Sequence, residues 1–491
     1  MPNAIDINAI NLKNEELRRL LLTPAAFRKT YRNDPAAWIH DIIIWKDGEG
    51  PTEYQTEITS EVPLRRRAAI RSPHGAGKTT LAAWLVLWFA TTRDPDDWKA
   101  PTTASVWRQL EKYLWPEIHK WTKRLAWNKM HRDPFSPAEM LTLALKLSGG
   151  EAFAVASDKP DLIEGAHADN LLYLLDEAKA IPDGTWDAVE GAFSGEGSAS
   201  DAFAVAISTP GPPTGRFYKI HKREAGYEDW WTRHITLDEC IKAGRISKEW
   251  AEQRRRQWGE DSAVYQNRVL GEFASQSEDS VIPLAWVEAA QERWKDLRDS
   301  GKLAEMEIER IGADIARGGG DKTVFAFRSG NVIVRLEEYN YADTMRTTGR
   351  LAGLLNRYGS ASEIIDVIGI GAGVFDRLNE QFYNRVEAFN AAERTDMRDR
   401  SGTWGFVNKR SAAWWNLREM LDPVYGEDVA LPDDDELVGD LTAPLWREVS
   451  GGKIELEPKD KTKKRLGRSP DKGDAVVMAF YNATVKVNVW I

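Results

Sequence analysis

"RSPHGAGKTT", residues 71–80, is the stretch on which the reading of this chain turns. The usual phosphate-loop pattern is G-x-x-x-x-G-K-[ST]. Its second half is intact as Gly77, Lys78 and Thr79, while Ser72 stands in the place of the first glycine. Holding a triphosphate requires backbone N–H groups that approach closely, a lysine for the β- and γ-phosphates and a hydroxyl for Mg²⁺. Ser72, Gly75, Gly77, Lys78, Thr79 and Thr80 supply them, so ATP and Mg²⁺ are the expected ligands. The flanks agree. "RAAIRS" reads as a short buried strand and "TTLAAWLVLWFA" as a long apolar helix, which would set anionic oxygens at a helix N-terminus.

Nucleotide hydrolysis also needs acids at the end of a neighbouring strand. "NLLYLLDEA", residues 170–178, offers Asp176 for the metal and Glu177 for the attacking water. The next strand, "DAFAVAISTP", ends in Ser208 and Thr209, where a γ-phosphate sensor is expected. Upstream, "PTEYQTEI" places Tyr54 and Gln55 where a ring and an amide could meet an adenine, or where a turn simply opens a helix. Apolar strands alternating with helices, including one through "SVWRQLEKYLWPEIHKWTK", indicate a mostly parallel α/β sheet.

A chain of 491 residues exceeds what one core usually supports. The composition sets the expected boundaries: a lead-in at 1–50, a nucleotide-binding domain at 51–240, a polar, helical connector or hinge at 241–300, and a second domain at 301–491. No run approaches the roughly 18 apolar residues of a membrane span, and the start lacks a signal-peptide block, so the cytoplasm is expected. The single Cys240 forms no internal disulfide. Most of the 21 tryptophans are expected in cores. A net charge of −10 argues weakly against a nucleic-acid partner, because basic residues are locally concentrated at Arg65–Arg67, Arg254–Arg256 and Lys459–Arg468.

The second half carries a different chemistry. "RIGADIA" and "EIIDVIGI" bury Asp314 and Asp366 among apolar strand residues, which is costly unless they are paired or hold a metal. Between them, "GGGDKTVFAFRSGNVIVRL" suggests antiparallel strands. "SPDKGDAVVMAF" opens a helix with Asp471 and Asp474 on one face, and Ser469 or Asp471 is available as its cap. Converging carboxylates that hold two divalent cations, Mg²⁺ or Mn²⁺, are the arrangement that cuts phosphodiesters. On this reading Lys459, Lys461, Lys463, Lys464, Arg465 and Arg468 meet DNA phosphates. "VIGIGAG" reads as a turn that ends the Asp366 strand, not as a dinucleotide fingerprint.

In order along the chain stand "PTEYQTEI", "RSPHGAGKTT", "TTASVWRQLEKYLWPEI", "IEGAHADNLLYLLDEAKAIPDGTWDAVEG", "ISTPGPPTGRFY", "YQNRVLGEF", "IGADIARGGGDKT", "FVNKRSAAWWNLRE" and "KKRLGRSPDKGDAVVMAF". With these the chain resembles the large terminase subunit of tailed bacteriophages or prophages over nearly its full length. The resemblance implies an N-terminal P-loop NTPase domain of the ASCE, RecA-like type and a C-terminal RNase H-like nuclease domain. It implies translocation of double-stranded DNA through a portal protein into a procapsid, and cutting of concatemeric DNA. A helicase-nuclease of repair or restriction would share both sites. Lys78 and Thr79 then match the Walker A lysine and hydroxyl, Asp176 and Glu177 the Walker B pair, Ser208 and Thr209 the coupling motif, and Gln55 the adenine-recognition glutamine. Asp314, Asp366 and Asp474 match the nuclease triad, with Asp471 either a fourth ligand or a helix cap. Where some relatives carry an arginine finger this chain has His74, with Arg71 further upstream, so a finger in trans, from Arg124 or Arg132, is an open alternative. The implied partners are DNA, the portal and a small terminase subunit, with a homo-pentamer on the portal or a monomer in solution. The implied location is the host cytoplasm, transiently docked on the procapsid and absent from the mature virion.

Overall fold

The computed structural model describes residues 23–191, 193, 201–260, 262–274, 280–317 and 321–481. The first 22 residues of the expected lead-in and the glycines of "GGGDKT" at 318–320 lie outside them. The chain divides into two compact units: one reaches Trp250 and takes back Asn267–Phe273, and the other comprises Ala251–Gln266 and the chain from Ala274 on.

The first unit is built on an eight-stranded sheet. Its strands are β1 (Arg67–Arg71), β2 (Trp98–Ala104), β3 (Met140–Leu141), β4 (Ala144–Lys146), β5 (Gly150–Ala156), β6 (Asn170–Asp176), β7 (Asp201–Ser208) and β8 (Trp231–His234). Their order is β3-β4-β5-β2-β6-β7-β1-β8. All neighbours from β5 to β8 run parallel, and only the β3–β4–β5 edge is antiparallel. β7 is inserted between β1, which leads into the glycine-containing loop, and β6, which ends at Asp176, the order of an ASCE, RecA-like P-loop NTPase fold. Every residue of β6 is buried, as its apolar run requires of a strand covered on both faces.

Two helices serve the site in this unit, α1 (Glu53–Arg65) and α2 (Lys78–Arg93). α2 is buried from Leu81 to Arg93, so its apolar character comes from a place inside the core, not from amphipathicity. The single helix expected over "SVWRQLEKYLWPEIHKWTK" is broken: Trp107–Gln109 is α-helical, Leu110–Leu114 a π-turn and Trp115–Thr122 α-helical again. Trp115 N–H bonds to Leu110 O one residue further back than an α-helix would. Pro116, which has no N–H to give, follows directly.

The second unit holds a five-stranded sheet made of β9 (Arg310–Asp314), β10 (Thr323–Ser329), β11 (Val332–Tyr339), β12 (Ser362–Asp366) and β13 (Val386–Phe389), ordered β11-β10-β9-β12-β13. The first three run antiparallel, as the glycine-bounded apolar runs suggested, while β9, β12 and β13 are parallel. That is an RNase H-like sheet. A small sheet of β14 (Gly405–Phe406), β15 (Trp446–Val449) and β16 (Lys453–Leu456) stands beside it. The helices that matter below are α3 (Lys409–Leu421), α4 (Asp435–Thr442), α5 (Lys459–Leu466) and α6 (Asp471–Phe480).

Two glycines fix the geometry of this unit. A Cβ on Gly312 would lie 2.2 Å from Ala475 O and 2.6 Å from Ala479 N, so α6 rests its backbone directly on β9. A Cβ on Gly371 would meet Asp366 O at 1.7 Å, so the strand stops at Asp366 and the chain turns back, in keeping with the reading of "VIGIGAG" as a turn. Tryptophans go largely to the interior: Trp84, Trp88, Trp98 and Trp115 in the first unit and Trp258 and Trp414 in the second are among the largest fully buried side chains. No helix among the described residues is long and apolar enough to cross a membrane.

Candidate functional sites

The phosphate loop runs from the end of β1 to the start of α2. Gly75 (φ +81°) and Gly77 (φ +83°) take the left-handed backbone that side chains disfavour, which is why the loop needs them there. Gly77 is the N-cap of α2, with no side-chain cap bond, so first-turn amides stay available to an anion. Ser72, in place of the first glycine, is fully buried and gives its amide to Ser208 O (3.2 Å) and its hydroxyl to Pro73 O (2.9 Å). Lys78 folds back on the loop, its Nζ donating to Pro73 O (2.9 Å) and Ser72 Oγ (3.2 Å). Burial holds its ammonium below the ordinary lysine range, against the pull of Glu177 and Asp176. The loop has loaded its cation onto neutral oxygens.

Asp176 ends β6 in the core, where burial, with Glu177 beside it, raises its carboxyl above the ordinary range against the pull of Lys78. Glu177 follows in a left-handed conformation (φ +46°), and its Oε2 accepts from Ser208 Oγ (3.1 Å) and Thr209 Oγ1 (3.4 Å). The structure thus brings Ser72, Lys78, Asp176, Glu177, Ser208 and Thr209 together. Thr80 is turned to Glu117 (2.8 Å) and lines a cavity of about 1150 Å³ shared with Tyr54, Trp121, Arg124 and Arg245.

Gln55 is 1% exposed, and its amide is committed. Oε1 accepts the Thr52 amide (3.0 Å) in a capping box at the start of α1, and Nε2 reaches Gly77 O (3.4 Å). Tyr54 donates to Ala76 O (2.8 Å). Both residues therefore brace the loop. Arg124 stacks on Trp121 and bonds Ile44 O (3.0 Å), while Arg132 lies over Phe135 and pairs with Glu139 (2.8 Å).

A second brace was not singled out by residue in the sequence. The segment Asn267–Phe273, from "YQNRVLGEF", lies under the loop: Arg268 O accepts the His74 amide (2.9 Å), and Asn267 Nδ2 bonds Glu272 O (2.7 Å) and Gly211 O (3.4 Å). Arg71 donates to Gly271 O (2.9 Å) and pairs with Glu272. Gly271 (φ +67°) has room for no Cβ, which would stand 2.8 Å from Pro73 N and Ser72 C.

The acids of the second unit gather at the carboxyl ends of the adjacent parallel strands β9 and β12, where α6 crosses. Asp314, Asp366 and Asp474 line one cavity of about 460 Å³ together with Lys459, Arg410 and Trp414. Lys459 Nζ stands 2.8 Å from Asp474 Oδ2, 3.2 Å from Asp314 Oδ2 and 3.9 Å from Asp471 Oδ1. Asp474 Oδ1 accepts the Trp414 indole N–H (3.2 Å), Asp471 Oδ2 the Lys322 amide (2.9 Å) and Asp366 Oδ1 the Ile368 amide (2.9 Å). Burial raises the carboxyls of Asp314 and Asp366 above the ordinary range. At Asp474 burial acts the same way, but Lys459 and Arg410 outweigh it and hold the carboxyl low. Asp474 and Asp314 in turn lift the Lys459 ammonium above its ordinary value despite its burial.

The basic run behaves differently from its reading as a DNA-facing stripe. Lys459 sits inside the acid cluster, Lys463 pairs with Asp321 (2.7 Å), Arg465 with Glu457 and Arg468 with Asp440. Lys461 and Lys464 remain exposed. A positive run with acids nearby pairs internally before it meets solvent.

Among the described residues no group of three or more Asp, Glu, His or Cys side chains stands close enough to hold a metal ion as placed. The donor chemistry nevertheless fits one: hard carboxylate oxygens surround a cation, and the buried Asp474 Oδ2 meets it only as an ion pair, with no directed hydrogen bond. Asp314, Asp366, Asp471 and Asp474 are the residues that would hold divalent cations.

No protein-family model matches the chain. A curated protein of Enterobacteria phage P7, named as a probable terminase large subunit, is 24% identical over 470 residues, covering 88% of each chain. Among solved structures, the nuclease domain of the large terminase subunit gp2 of bacterial virus Sf6 is 22% identical, matching 41% of this chain and 99% of that one with a TM-score of 0.35. The large terminase of the thermophilic bacteriophage D6E is 14% identical, matching 88% of this chain and 100% of that one with a TM-score of 0.40. The resemblance to large terminase subunits that the ordered motifs carry thus has a counterpart in a curated phage relative matched across most of both chains.

Proposed function

We propose that this chain is a terminase large subunit: an ATPase that drives double-stranded DNA through a portal into a procapsid, and a divalent-metal-dependent endonuclease that cuts concatemeric DNA. The observation that carries this reading is the presence of two chemically separate sites on two units of one chain. One is a phosphate loop with its acid pair, and the other an acid cluster on an RNase H-like sheet. A helicase-nuclease would be expected to carry a second RecA-like sheet, and the described residues hold one sheet of that kind.

At the loop, Lys78 exchanges Ser72 Oγ and Pro73 O for the phosphates of ATP, which recovers charge pairing that its neutral partners do not provide. Thr79 and Asp176 would hold Mg²⁺, which when bound neutralises phosphate charge, and Glu177 would orient the attacking water. The hydroxyls of Ser208 and Thr209 hold Glu177 by its carboxylate, so a shift of the β7 end reaches the water-orienting residue through one hydrogen bond. This supports a sensor role for the pair. Gln55 acts on the nucleotide through the loop it braces, with the base in the adjoining cavity.

In the second unit Asp314, Asp366 and Asp474, with Asp471 beside them, would hold two Mg²⁺ or Mn²⁺ ions. When bound, these supply activation of water and charge stabilisation at the leaving oxygen. Lys459 balances the acids, and would have to withdraw for cations to be held there. Trp414 and the Ile368 amide fix the orientation of Asp474 and Asp366. On this reading the chain works in the host cytoplasm, docked on the procapsid portal as a pentamer, with a small terminase subunit delivering DNA.

The test is direct. The purified chain should hydrolyse ATP faster with linear double-stranded DNA present, and nick plasmid DNA in Mn²⁺ but not in EDTA. Absence of both activities in a folded preparation would overturn the proposal.

A further inference from the structure

α6 presents an unusual problem of capping. It carries Asp471 and Asp474 in its first turn, yet its N-cap is Pro470, and no side chain in the cap position bonds a first-turn amide. Neither Ser469 nor Asp471, the sequence candidates, caps it; Asp471 is turned to the Lys322 amide. Helices left uncapped recruit the nearest acceptor for their first-turn amides.

The acceptor comes instead from another helix. Asp440, in α4, is 0% exposed, and its Oδ2 accepts the amides of Lys472 (3.0 Å) and Gly473 (3.1 Å). Its Oδ1 is held by Arg468, whose guanidinium is itself pinned to Gln257 O (3.0 Å), Glu436 O (3.1 Å) and Ser469 O (3.1 Å). The approach is so close that a Cβ on Gly473 would stand 2.9 Å from the Asp440 Cβ and 3.2 Å from the Trp414 ring. That explains the glycine of "SPDKGD".

We propose that Asp440 is a positioning residue for the acid cluster: by capping α6 from a distance it leaves Asp471 and Asp474 free to face Asp314. The inference rests on the nuclease reading above. Without Asp440, the amides of Lys472 and Gly473 draw on the nearest carboxylate or hydroxyl, and Asp471 rotates away from Lys459 and the β9 end. The first turn then presents the cluster with one acid fewer. Arg468 acts one step further out, holding Asp440 against the helix.

The experiment is calorimetric titration of Mn²⁺ into the full chain without DNA, with ADP titration on the same preparation as a check on the first unit. For Asp440→Ala we expect Mn²⁺ affinity to fall about 10- to 100-fold, the range for partners that orient ligands, with ADP affinity unchanged. A purely structural role would lower the melting temperature and leave the Mn²⁺ affinity of the folded protein where it was. Unchanged affinity in folded Asp440→Ala therefore overturns the proposal. Should that variant fail to fold, Asp440→Asn, which keeps one acceptor oxygen, and Arg468→Gln carry the test. A several-fold loss in each supports it, and no change in both overturns it. A wild-type chain that binds no Mn²⁺ and cuts no DNA overturns the nuclease reading itself, and this inference with it.

Discussion

The two sites of this chain solve the same problem, a cation among acids, in opposite ways. In the first unit Lys78 is parked on the neutral oxygens of its own loop, and the acids Asp176 and Glu177 follow β6, on the far side of β7. In the second unit Lys459 is surrounded by the acids themselves. The first cation is held loosely in charge terms and, on the proposed function, is the one phosphates would take up. The second stands among carboxylates and, on the same proposal, would have to yield its place. A contiguous loop can prearrange one lysine, whereas a site assembled from β9, β12 and α6 is neutralised here from within.

Predictions follow from breaking either side of this contrast. The largest effect is expected at Glu177: Glu177→Gln should lower ATP turnover at least about 100-fold while ADP binding stays within twofold, because on the proposed function the residue orients water and does not hold the nucleotide. Steady-state hydrolysis with ADP titration checks this. Next comes Gly312→Ala, where the added methyl meets the backbone of α6; unfolding of the second unit should be easier by about 2–3 kcal/mol, read from denaturant midpoints. Gly271→Ala tests the brace under the phosphate loop. Its left-handed backbone and the closeness of Pro73 should cost about 1–2 kcal/mol and weaken ADP binding while leaving Mn²⁺-dependent nicking intact. The smallest effect belongs to the exposed pair Arg377–Glu380, where Glu380→Ala should change stability by less than about 0.5 kcal/mol.

How much of this could be read from the sequence differs between the sites for the same reason. The loop, β6 and β7 were legible because the phosphate chemistry is packed into contiguous residues flanked by strands and helices of plain periodicity. The acids were legible singly, since Asp314 and Asp366 stand out in apolar strands. Their cation was not: Lys459 opens a basic run that reads as meeting DNA phosphates, and only the fold turns it inward. Asp440 was hidden in "DDDELVGDLT", where an aspartate late in a polar helix gives no hint that it caps another helix. The Asn267–Phe273 brace was missed because Arg71 and Glu272 are 201 positions apart. Gln55 carried two readings, an adenine contact or a helix start: the T-x-x-Q spacing from Thr52 is a capping box, and the structure spends the glutamine there and on Gly77. The broken helix at Leu110–Leu114 had its cause in view at Pro116, but an amphipathic pattern does not show where a proline shifts the hydrogen-bond register.

The most direct measurement compares Lys78→Ala with Asp314→Asn in the purified full chain, scoring ATP hydrolysis and Mn²⁺-dependent DNA nicking on each. We expect reciprocal losses: Lys78→Ala without hydrolysis but nicking at the wild-type rate, and Asp314→Asn hydrolysing ATP but unable to nick. If either variant keeps both activities, or if each loses both while remaining folded, the claim of two separate sites on one chain is wrong.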